Sequence, residues 1–497
     1  MSAPTSIHDI KTLVLSFHPL IVIETLEEDR VRALLLSVAA QLRLPLFEWS
    51  VTRGLTRAEE PQAMHRLTAD PLALLQHLQG LRIQGMFLLK DFSRHLSDAA
   101  AARQFRELAA QFTQKRSTMV LTGETVELPH EIDHTAVRYH MSLPDRNELN
   151  EVVNHVLRSL GTKTPLPTQP GSQDREDLLR ALQGMTLNQA RQAVAYVTLK
   201  DGRLSSDDIH GVLDRKAQMI REGGLLEYYP SEDNRFQLGG FANLKAWLER
   251  SRVGFSQEAR ALNLTPPRGI LIVGVPGCGK SLAAKVIARD WKLPLLKLDA
   301  GRLFDKFIGE SEKNFRKAIA LAESMAPVVF WIDEIEKGMV AAGSGEADAG
   351  LSRRLFGAFL TWLQEKRQEV FVVATANDLS VLPPELLRKG RFDEIFFVDL
   401  PNAEERDAIL KIHLGLRKQE VGDFDLPKIL AACEGFSGAE IEQAVVAALY
   451  RALASKRKLD SALLLEELGQ TVPLSVSRRE DIVRLQETAR DRFVSVR

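Results

Sequence analysis

The chain has 497 residues, of which 45% are hydrophobic and 26% charged, and its 65 basic and 66 acidic residues give a formal charge of −1. This length allows two to four domains with sizeable cores, and the balanced charge argues against a constitutive coat of nucleic acid. With only Cys278 and Cys433 and no apolar run of about 20 residues, neither a disulfide framework nor a membrane span is predicted, so we expect a cytoplasmic protein without a membrane partner.

The first predicted element is the strand LIVIE, residues 20–24, which leads into the turn TLEEDR and then into a helical pattern. The turn carries the acids Glu27, Glu28 and Asp29 and contains no glycine. A turn of this composition can neither bend tightly through glycine nor attract an anion. Its purpose emerges only from comparison with a later part of the chain.

An α/β pattern continues to about Leu143, and a helical region follows as far as Arg221. The helical region is interrupted by the polar segment 161–177, which is rich in Gly, Pro, Thr and Gln. Residues 222–240 are rich in glycine and acids, a composition typical of a linker between domains.

The strongest signal is GILIVGVPGCGKS, residues 269–281, in which a buried strand leads through GxxxxGK[ST] into an amphipathic helix. The glycines let successive backbone N–H groups surround phosphate oxygens, and the helix N-terminus adds a partial positive charge. Lys280 would neutralise the β- and γ-phosphates of ATP, and the Ser281 hydroxyl would bind Mg²⁺. The predicted nucleotide-binding residues of this loop are Gly274, Val275, Pro276, Gly277, Cys278, Gly279, Lys280, Ser281 and Leu282.

Cys278 occupies a variable position of this loop, and two interpretations stay open. It is either a small residue that fits the turn or a regulatory thiol whose oxidation blocks ATP binding. The second interpretation depends on the tendency of helix N-termini to lower the pKa of a thiol.

A second buried strand, VVFWIDE at residues 328–334, ends in two acids about 50 residues after the phosphate loop. Asp333 is expected to hold Mg²⁺, and Glu334 to polarise the attacking water. The sequence therefore predicts an Mg²⁺-dependent ATPase site in which Ser281 and Asp333 are the metal ligands.

The strand EVFVVATAND, residues 369–378, is followed by LPPELLRKGRFDE, residues 382–394. With these motifs added to the phosphate loop, the chain resembles the AAA ATPases in the narrow sense, the hexameric remodelling ATPases. The resemblance implies that Asn377 positions the attacking water. It also implies that Arg388 and Arg391 are arginine fingers that reach the nucleotide of a neighbouring subunit, so the expected partner is the chain itself in a homo-hexamer.

The same resemblance implies contacts with the nucleoside. The segment before the first core helix, the stretch AILKIHL and the turn GFSGAE match the family's nucleoside-binding segments. The residues implied are Leu238, Gly239, His413, Gly438 and Ala439. For His413, an ordinary helix histidine remains the alternative interpretation.

The segment LFDKFIGESEKNFRKA, residues 303–318, resembles the family's pore loop and the signature that follows it. The resemblance implies that Phe307, Ile308 and Gly309 line a central pore and grip an extended polypeptide substrate. The alternative is that Phe307 and Ile308 are core residues at the base of a loop. By the same resemblance, the loop 341–354 would also face the pore.

The two halves of the chain share motifs in the same order, about 250 residues apart. The pairs are LIVIETLEEDR with ILIVGVPGCGK, FLLKDF with FWIDEI, VELPHEI with SVLPPELL, LPDRNELNEVVNHVL with LPNAEERDAILKIHL, and GMTLNQARQAVA with GFSGAEIEQAVV. In this comparison the acidic turn stands where the second half has its phosphate loop, Asp91 stands for Asp333, and Phe92 replaces Glu334. The first half therefore resembles a degenerate copy that has lost its catalytic residues.

We therefore predict an α/β protein of two tandem AAA modules, each a parallel-sheet core with a helical lid. The predicted bounds are 1–221 for the degenerate module, 222–240 for the linker, 241–401 for the active α/β core, 402–468 for its lid and 469–497 for a helical tail. This arrangement resembles the AAA ATPases known as hypothetical chloroplast reading frames, which occur in cyanobacteria, plastids and related bacteria.

The predicted function is ATP-driven remodelling or threading of a protein substrate by an oligomeric ring. A nucleic-acid motor or loader stays open, because Lys306 and Lys313 flank the predicted pore loop. A nucleotide-gated regulatory switch that threads nothing is the third possibility.

Overall fold

The computed structural model describes residues 4–59, 65–161, 172–201, 206–222, 224–230, 237–300, 308–337, 346–388, 390–490 and 492–497. Contacts between residues divide the chain into two compact units. Unit 1 consists of Met1–Leu143 with Thr186–Gln189, and unit 2 of Pro144–Met185 with Ala190–Arg497.

Unit 1 is built around a six-stranded sheet. Its strands are β1 (Leu20–Glu24), β2 (Leu46–Ser50), β3 (Gly54–Arg57), β4 (Met86–Lys90), β5 (Thr118–Gly123) and β6 (Ala136–Arg138). Its helices are α1 (Pro4–Leu15), α2 (Glu28–Leu42), α3 (Pro71–Gly80), α4 (Ala99–Lys115) and α5 (His130–Asp133), with 3₁₀ turns at Arg66–Thr68 and Phe92–His95.

The strand order of the first sheet is β3-β2-β4-β5-β1-β6, and every neighbouring pair is parallel except β2 with β3. The inner strands β1, β4 and β5 are nearly continuous apolar runs. Alternate residues of these runs pack into two separate clusters, one with α1 and α2 and the other with α3 and α4. Helices therefore cover both faces, as a parallel sheet requires.

Unit 2 begins with a helical region and continues into a larger α/β core. The helical region contains α6 (Arg146–Gly161), α7 (Ser172–Leu182), α8 (Leu187–Asp201, whose first residues belong to unit 1) and α9 (Ser206–Glu222). The strands are β7 (Leu226–Tyr229), β8 (Gly269–Gly274), β9 (Leu295–Asp299), β10 (Val328–Asp333), β11 (Val370–Ala376), β12 (Glu394–Val398) and β13 (Val494–Ser495).

The remaining helices of unit 2 flank its sheet and form a lid. Those of the core are α10 (Ala242–Arg252), α11 (Gln257–Ala261), α12 (Lys280–Trp291), α13 (Ile308–Ser324) and α14 (Glu346–Glu365), with a 3₁₀ turn at Val253–Phe255. Those of the lid are α15 (Ala403–Leu416), α16 (Leu426–Ala432), α17 (Gly438–Ala454) and α18 (Ser461–Gln470), with a 3₁₀ turn at Val421–Asp423; α19 (Leu474–Ser477) and α20 (Arg479–Ala489) follow.

The second sheet has the order β7-β9-β10-β11-β8-β12-β13, in which only β7 is antiparallel to its neighbour. The two sheets arrange their core strands in the same order. If the core strands are numbered along the chain (β1, β2, β4, β5 and β6 in unit 1, β8 to β12 in unit 2), both sheets have the spatial order second, third, fourth, first, fifth. In both sheets an antiparallel edge strand lies beside the second core strand. The α/β class with mostly parallel sheets is therefore confirmed.

In three places the elements differ in detail from the expectation. The predicted linker contains β7, which pairs with β9. The predicted loop 341–354 is helical from Glu346 onward. The tail does contain the helix α20, but it also forms β13, which pairs with β12, and Gln486 donates to Asp399, so the tail packs on the core of its own chain.

Among the described residues, no helix combines the length and the apolar character that a bilayer crossing needs. The lid has its own apolar core, formed by the inward faces of α15 to α18. Capping boxes begin two of these helices, with Asn402 and Glu405 at α15 and with Ser437 and Glu440 at α17.

Candidate active site

The candidate site lies where β8, β10 and β11 end. These strands are parallel and adjacent, so their carboxyl ends meet at one edge of the sheet. The phosphate loop follows β8, Asp333 ends β10 with Glu334 directly after it, and Asn377 follows β11. Motifs that are about 50 residues apart in sequence therefore become neighbours.

The phosphate loop, residues 275–279, has the conformation that an anion-binding turn needs. Gly277 and Gly279 have φ values of +75° and +93°, which L side chains rarely adopt. A Cβ atom on Gly277 would lie 3.0 Å from the Ser437 Oγ of the lid, so the loop and the lid meet closely there. The loop also ends at the N-terminus of α12, where unpaired backbone N–H groups favour a bound anion.

Lys280 is a buried cation at the start of α12. Its Nζ donates to the carbonyl oxygens of Gly274 (2.8 Å) and Val275 (2.9 Å). Burial lowers the pKa of Lys280 from 10.5 to about 8, because the charged form loses hydration. A phosphate group would add negative charge beside the ammonium group and so favour its charged form.

Hydroxyl groups surround the Asp333 carboxylate. Its Oδ1 accepts hydrogen bonds from Ser281 Oγ (3.1 Å) and from Thr375 Oγ1 (2.7 Å). The Thr375 Oγ1 in turn accepts the backbone N–H of Glu334 (3.1 Å). Thr375 was not among the predicted site residues, although its position two residues before Asn377 on β11 is a usable signal.

Glu334 is held in a strained backbone conformation by its neighbours. Its φ is +49°, in the left-handed region that non-glycine residues seldom occupy. The Oε1 atom accepts from Asn377 Nδ2 (3.0 Å), and the Oε2 atom forms an ion pair with Lys337. The predicted general base and the predicted water-positioning residue are therefore in direct contact.

Glu336 is a buried acid that sequence analysis missed. Its Oε1 accepts the backbone N–H of Asn377 (2.9 Å), and its Oε2 has no hydrogen-bond partner among the described residues. Burial raises the pKa of Glu336. The stretch IDEIEK contains a third acid after Asp333 and Glu334, and that acid was the available signal.

A cavity of about 420 Å³ lies between the core and the lid at this edge, a size suited to a small ligand. The predicted residues that line it are Leu238, Gly239, Pro276, Gly277, Cys278, Gly279, Lys280, Ser281, Leu282, Asp333, Glu334, Asn377, His413, Gly438 and Ala439. Gln237, from the predicted segment before the first core helix, also lines it, and the residues that line it but were not predicted are Phe241, Thr375, Ile409, Ile412 and Glu442. Gly274 and Val275 lie behind the cavity, where their carbonyl groups hold Lys280.

The lid closes one side of this cavity. The backbone N–H of Ala439 donates to the Gly277 carbonyl (3.0 Å), which joins the lid to the phosphate loop. His413 lies near Glu442 and Arg417, and burial lowers the pKa of His413. The imidazole is therefore neutral near pH 7, which suits contact with a nucleoside better than a charge does.

Cys278 is buried in the cavity wall. Burial raises the pKa of its thiol to about 12, and the nearby charge of Lys280 does not offset this cost. A reactive thiolate needs a lowered pKa, so the structure favours the interpretation of Cys278 as a small residue that fits the turn.

Arg388 and Arg391 lie at the opposite end of the sheet. Arg268, just before β8, donates through Nη1 to the carbonyl of Gly390 (2.6 Å), which fixes this segment near the start of β8. The phosphate loop follows the other end of β8, about 16 Å away at roughly 3.3 Å per residue. Neither arginine lines the cavity, Arg388 is exposed, and the Arg391 Nη1 atom has no partner among the described residues.

The predicted pore loop falls largely outside the described residues. Phe307 lies outside them. Ile308 and Gly309 are the first two residues of α13, so their backbone is helical instead of forming a loop.

The same edge of the first sheet carries a different set of charges. Lys90 Nζ lies 3.2 Å from Glu28 Oε2 and 3.6 Å from Glu48 Oε2. Arg32 also pairs with Glu48 and donates to the carbonyl of Ala58. Two cations and two anions thus neutralise one another within this unit.

The strand registers correct the assignment of Asp91. Trp49 and Leu298 are equivalent, because each stands four residues after the proline of a Leu-Pro pair. Trp49 pairs with Leu89 in the first sheet and Leu298 pairs with Ile332 in the second, so Leu89 is equivalent to Ile332. Lys90 is therefore the counterpart of Asp333, and Asp91 the counterpart of Glu334. The φ values agree, because Asp91 and Glu334 are both left-handed, at +53° and +49°. The sequence comparison matched Asp91 with Asp333 because both are acids, and the match was therefore shifted by one residue.

The residues of the candidate site in unit 2 fit Mg²⁺ and ATP. The Ser281 hydroxyl and the Asp333 carboxylate are the hard oxygen donors that Mg²⁺ prefers, and they lie next to each other. The left-handed glycines at 277 and 279 allow a turn whose successive backbone N–H groups can face phosphate oxygens. Lys280 adds a buried positive charge at the same place.

Comparison with known families agrees with this geometry. Residues 270–400 match the AAA family, described as the ATPase family associated with various cellular activities, and residues 423–464 match the AAA+ lid domain. Residues 6–141 match the N-terminal domain of SpoVK-like AAA ATPases, and residues 147–223 match the second domain of the same group. The AAA family implies ATP binding, usually with Mg²⁺, and its members typically form hexamers.

Relatives of similar length extend the comparison to nearly the whole chain. The AAA domain-containing protein ycf46 of Trieres chinensis is 36% identical over 95% of this chain and 94% of its own length. The ycf46 protein of Guillardia theta is 35% identical over 97% and 94%, respectively. The cell division cycle protein 48 homologue of Archaeoglobus fulgidus is 36% identical over 38% of this chain and 26% of its own length. The chain therefore belongs to the AAA ATPase family, and within it to the ycf46 group of AAA domain-containing proteins.

Proposed function

We propose that the chain hydrolyses ATP with Mg²⁺ at the edge formed by β8, β10 and β11. The observation that carries this proposal is the linked set of side chains Ser281–Asp333–Thr375 and Glu334–Asn377, joined by hydrogen bonds of 2.7–3.1 Å. A set with this connectivity holds a metal-binding carboxylate and a general base side by side. Membership of the AAA family supports the same chemistry.

Each residue has a defined task in this proposal. Bound Mg²⁺ would neutralise charge on the phosphates, held by the Ser281 hydroxyl and the Asp333 carboxylate. Lys280 releases the carbonyls of Gly274 and Val275 and pairs with phosphate oxygens. Glu334 accepts a proton from the attacking water, and the Asn377 amide, already hydrogen-bonded to Glu334, orients that water.

We also propose that the chain works as a homo-oligomeric ring, with Arg388 and Arg391 serving the site of a neighbouring copy. The separation of both arginines from the cavity of their own chain supports action in trans. A second cavity of about 470 Å³ shares Pro276 and Asn377 with the first, so a side chain that entered it would lie beside Asn377. The hexamers typical of the family agree with this arrangement.

The proposed substrate is a polypeptide, gripped by Phe307 and Ile308, the residues predicted to line the pore. Support comes from the sequence GESEKNFR that follows these residues and from the local similarity to a cell division cycle protein 48 homologue. Apolar side chains can grip an extended polypeptide of almost any sequence.

We propose further that unit 1 is a degenerate copy of the ATPase core, retained for docking or for support of the ring. Supporting observations are the common strand order and a matching capping box, in which Thr186 and Gln189 exchange the hydrogen bonds that Ser437 and Glu440 exchange. A localisation in the cytoplasm is part of the same proposal.

The phosphate loop is missing from this copy because a helix has taken its place. Helices α2 and α12 end alike, with left-handed caps at Arg43 and Lys292, but α2 is 15 residues long and α12 is 12. The longer helix leaves only residues 25–27 between β1 and α2, against 275–279 between β8 and α12. Counted back from the caps, the fully buried Val31 stands in the position of Lys280.

The proposed function is tested first with Glu334→Gln, which keeps the size of the side chain and removes the general base. We expect hydrolysis to fall by at least about 100-fold while nucleotide binding persists. Mass photometry of this variant should show hexamers with ATP. Phe307→Ala should keep basal hydrolysis and lose stimulation by a protein substrate.

Mixing experiments test the action of the arginines in trans. Arg391→Ala keeps its own site but lacks the finger, whereas Glu334→Gln keeps the finger but lacks the base. Each alone should be inactive, and a mixture should regain hydrolysis, because some Arg391→Ala sites then adjoin an intact Arg391. A mixture that stays inactive, or a chain that stays monomeric with ATP, would contradict the ring.

A further inference from the structure

Asp333 has an ion-pair partner that lies outside the cavity. Its Oδ2 atom lies 3.5 Å from Lys297 Nζ, while its Oδ1 accepts the hydroxyls of Ser281 and Thr375. Lys297 is on β9, opposite Trp331, and its Nζ lies 4.7 Å from the centre of the Trp331 ring. Lys297 is therefore fixed behind the carboxylate and does not line the described wall of the cavity.

The first sheet contains the same pair with its charges exchanged. In unit 1, Glu48 on β2 pairs with Leu88 on β4, and Lys90 lies two residues after Leu88. In unit 2, Lys297 on β9 pairs with Trp331 on β10, and Asp333 lies two residues after Trp331. The Glu48–Lys90 separation is 3.6 Å and the Lys297–Asp333 separation is 3.5 Å. Both sheets thus keep a diagonal ion pair between the second and third core strands, but only unit 2 places the anion at the active edge.

We propose that Lys297 is a positioning residue for Asp333. It holds Oδ2 toward the back of the site, so that Oδ1 keeps its place beside Ser281, where Mg²⁺ would bind. This inference deepens the proposed ATPase function and rests on it. In unit 1 the exchange puts a cation, Lys90, where a metal would need a carboxylate.

Electrostatics and positioning act in opposite directions on Mg²⁺ here. The Lys297 ammonium group repels a metal ion, so by charge alone its loss would lower the Mg²⁺ requirement. A higher Mg²⁺ requirement after loss of the lysine therefore reports the lost orienting contact and not the lost charge. Thr375 still holds Oδ1 after that loss, so the carboxylate becomes less ordered and the fold is retained.

The test compares Lys297→Met and Lys297→Arg in the full chain. Methionine keeps an unbranched side chain over Trp331 without charge, and arginine restores the ion pair. Binding of a fluorescent, non-hydrolysable ATP analogue is titrated with Mg²⁺ and, separately, in EDTA. We expect Lys297→Met to need about 10- to 100-fold more Mg²⁺ for half-maximal binding, as for other residues behind a metal ligand.

Three comparisons make the result specific. Binding in EDTA should be unchanged in Lys297→Met, because the phosphate loop is intact. Lys297→Arg should restore the Mg²⁺ response. Lys285→Met is the matched control, since Lys285 also lies over the Trp331 ring, at 5.9 Å, and should leave the Mg²⁺ response near that of the wild type.

The outcomes separate this inference from the proposed function. A wild-type chain that does not bind the analogue with Mg²⁺ would refute the proposed function itself. A wild-type chain that binds, with Lys297→Met binding at the same or a lower Mg²⁺ concentration, would refute only the positioning role.

Discussion

Lys280 shows how a binding residue can be costly until its ligand arrives. Its ammonium group is buried and is held by two carbonyl oxygens that carry only partial charge. Desolvation is the main cause of its lowered pKa, and the acids Asp333, Glu334 and Glu336 offset it only in part. The phosphates of a nucleotide would remove this cost, so part of the affinity is stored in the free protein.

Nucleotide affinity should therefore depend on pH above about 8. Free Lys280 loses its proton near this pH, whereas phosphate favours the charged form, so binding must take up a proton at higher pH. We expect the Kd of a fluorescent ATP analogue to rise by up to about tenfold per pH unit above 8, with little change below it. Lys280→Arg is the control, because guanidinium stays charged; a flat wild-type profile would contradict the assignment.

The helix α9 shows a comparable cost at the level of an element. It packs on β7 through an apolar face that includes Leu213, Ala217 and Ile220, and it buries Lys216 in the same contact. The Lys216 Nζ donates to the Ala181 carbonyl (3.1 Å) and lies 5.2 Å from the centre of the Tyr228 ring. Burial lowers the pKa of Lys216 to about 7. This charge weakens the junction of α9 with the sheet.

Lys216→Met should stabilise unit 2 at neutral pH. The pKa of Lys216 is about 7 in the folded chain and 10.5 when exposed, so the folded state binds fewer protons between these values and its stability rises with pH across this window. Methionine removes the desolvation cost, and we expect a gain of about 1–3 kcal/mol at pH 7, measured by thermal or denaturant unfolding.

The pH dependence provides the control for this substitution. The gain should shrink toward pH 10, where Lys216 of the folded wild type is neutral. A variant that is less stable at pH 7 would show that the hydrogen bond to Ala181 outweighs the cost of burial. A gain that does not vary with pH would contradict the lowered pKa of Lys216.

Elements with strong local patterns could be predicted from the sequence, and elements made by distant pairing could not. The apolar runs of β1, β8, β10 and β11 and the glycine pattern of the phosphate loop carry their own signals. By contrast, β7 and β13 are short edge strands that exist only because β9 and β12 are there to pair with. The counterpart of Asp333 in unit 1 depends on strand register, which sequence similarity does not report.

For the site, the sequence predicted the residues of short motifs and missed those contributed by packing. Glycine, lysine and acid positions follow from phosphate and metal chemistry alone. Ile409 and Ile412 line the cavity because the lid folds over it, and Phe241 lines it because α10 begins there, so packing places all three side chains. Thr375 and Lys297 contact the side chain of Asp333, and Glu336 accepts the backbone N–H of Asn377, so their importance is visible only once those contacts are known.

At the scale of the whole molecule, one strand order serves two different surfaces. Unit 2 places glycines and the buried Lys280 at the carboxyl edge of its sheet, whereas unit 1 fills the same edge with mutually paired charges. The backbone N–H of Leu187 donates to Glu27 Oε1 (2.7 Å), so a carboxylate of the acidic turn satisfies a helix N-terminus of unit 1. The acidic turn is therefore suited to accepting hydrogen bonds from N–H groups and unsuited to binding the negatively charged phosphate.

The full chain should accordingly bind one nucleotide per copy. Titration with a fluorescent ATP analogue should give a stoichiometry of about one, since only unit 2 has a phosphate loop. Lys280→Ala should abolish this binding entirely and leave no weaker site. A stoichiometry near two, or binding that survives Lys280→Ala, would contradict the assignment of unit 1 as inactive.

The extra helical turn at the start of α2 has a consequence for the history of the protein. A lost catalytic side chain can return by one mutation, but a lost loop cannot. A lysine at Val31 would lie in a fully buried position, with only residues 25–27 left to surround a phosphate. Recovery would need an insertion, new glycines and the lysine together, and none of these helps alone. Under the proposed duplication, the change is therefore practically irreversible. The first copy stays inactive, and selection can change its surface for other functions.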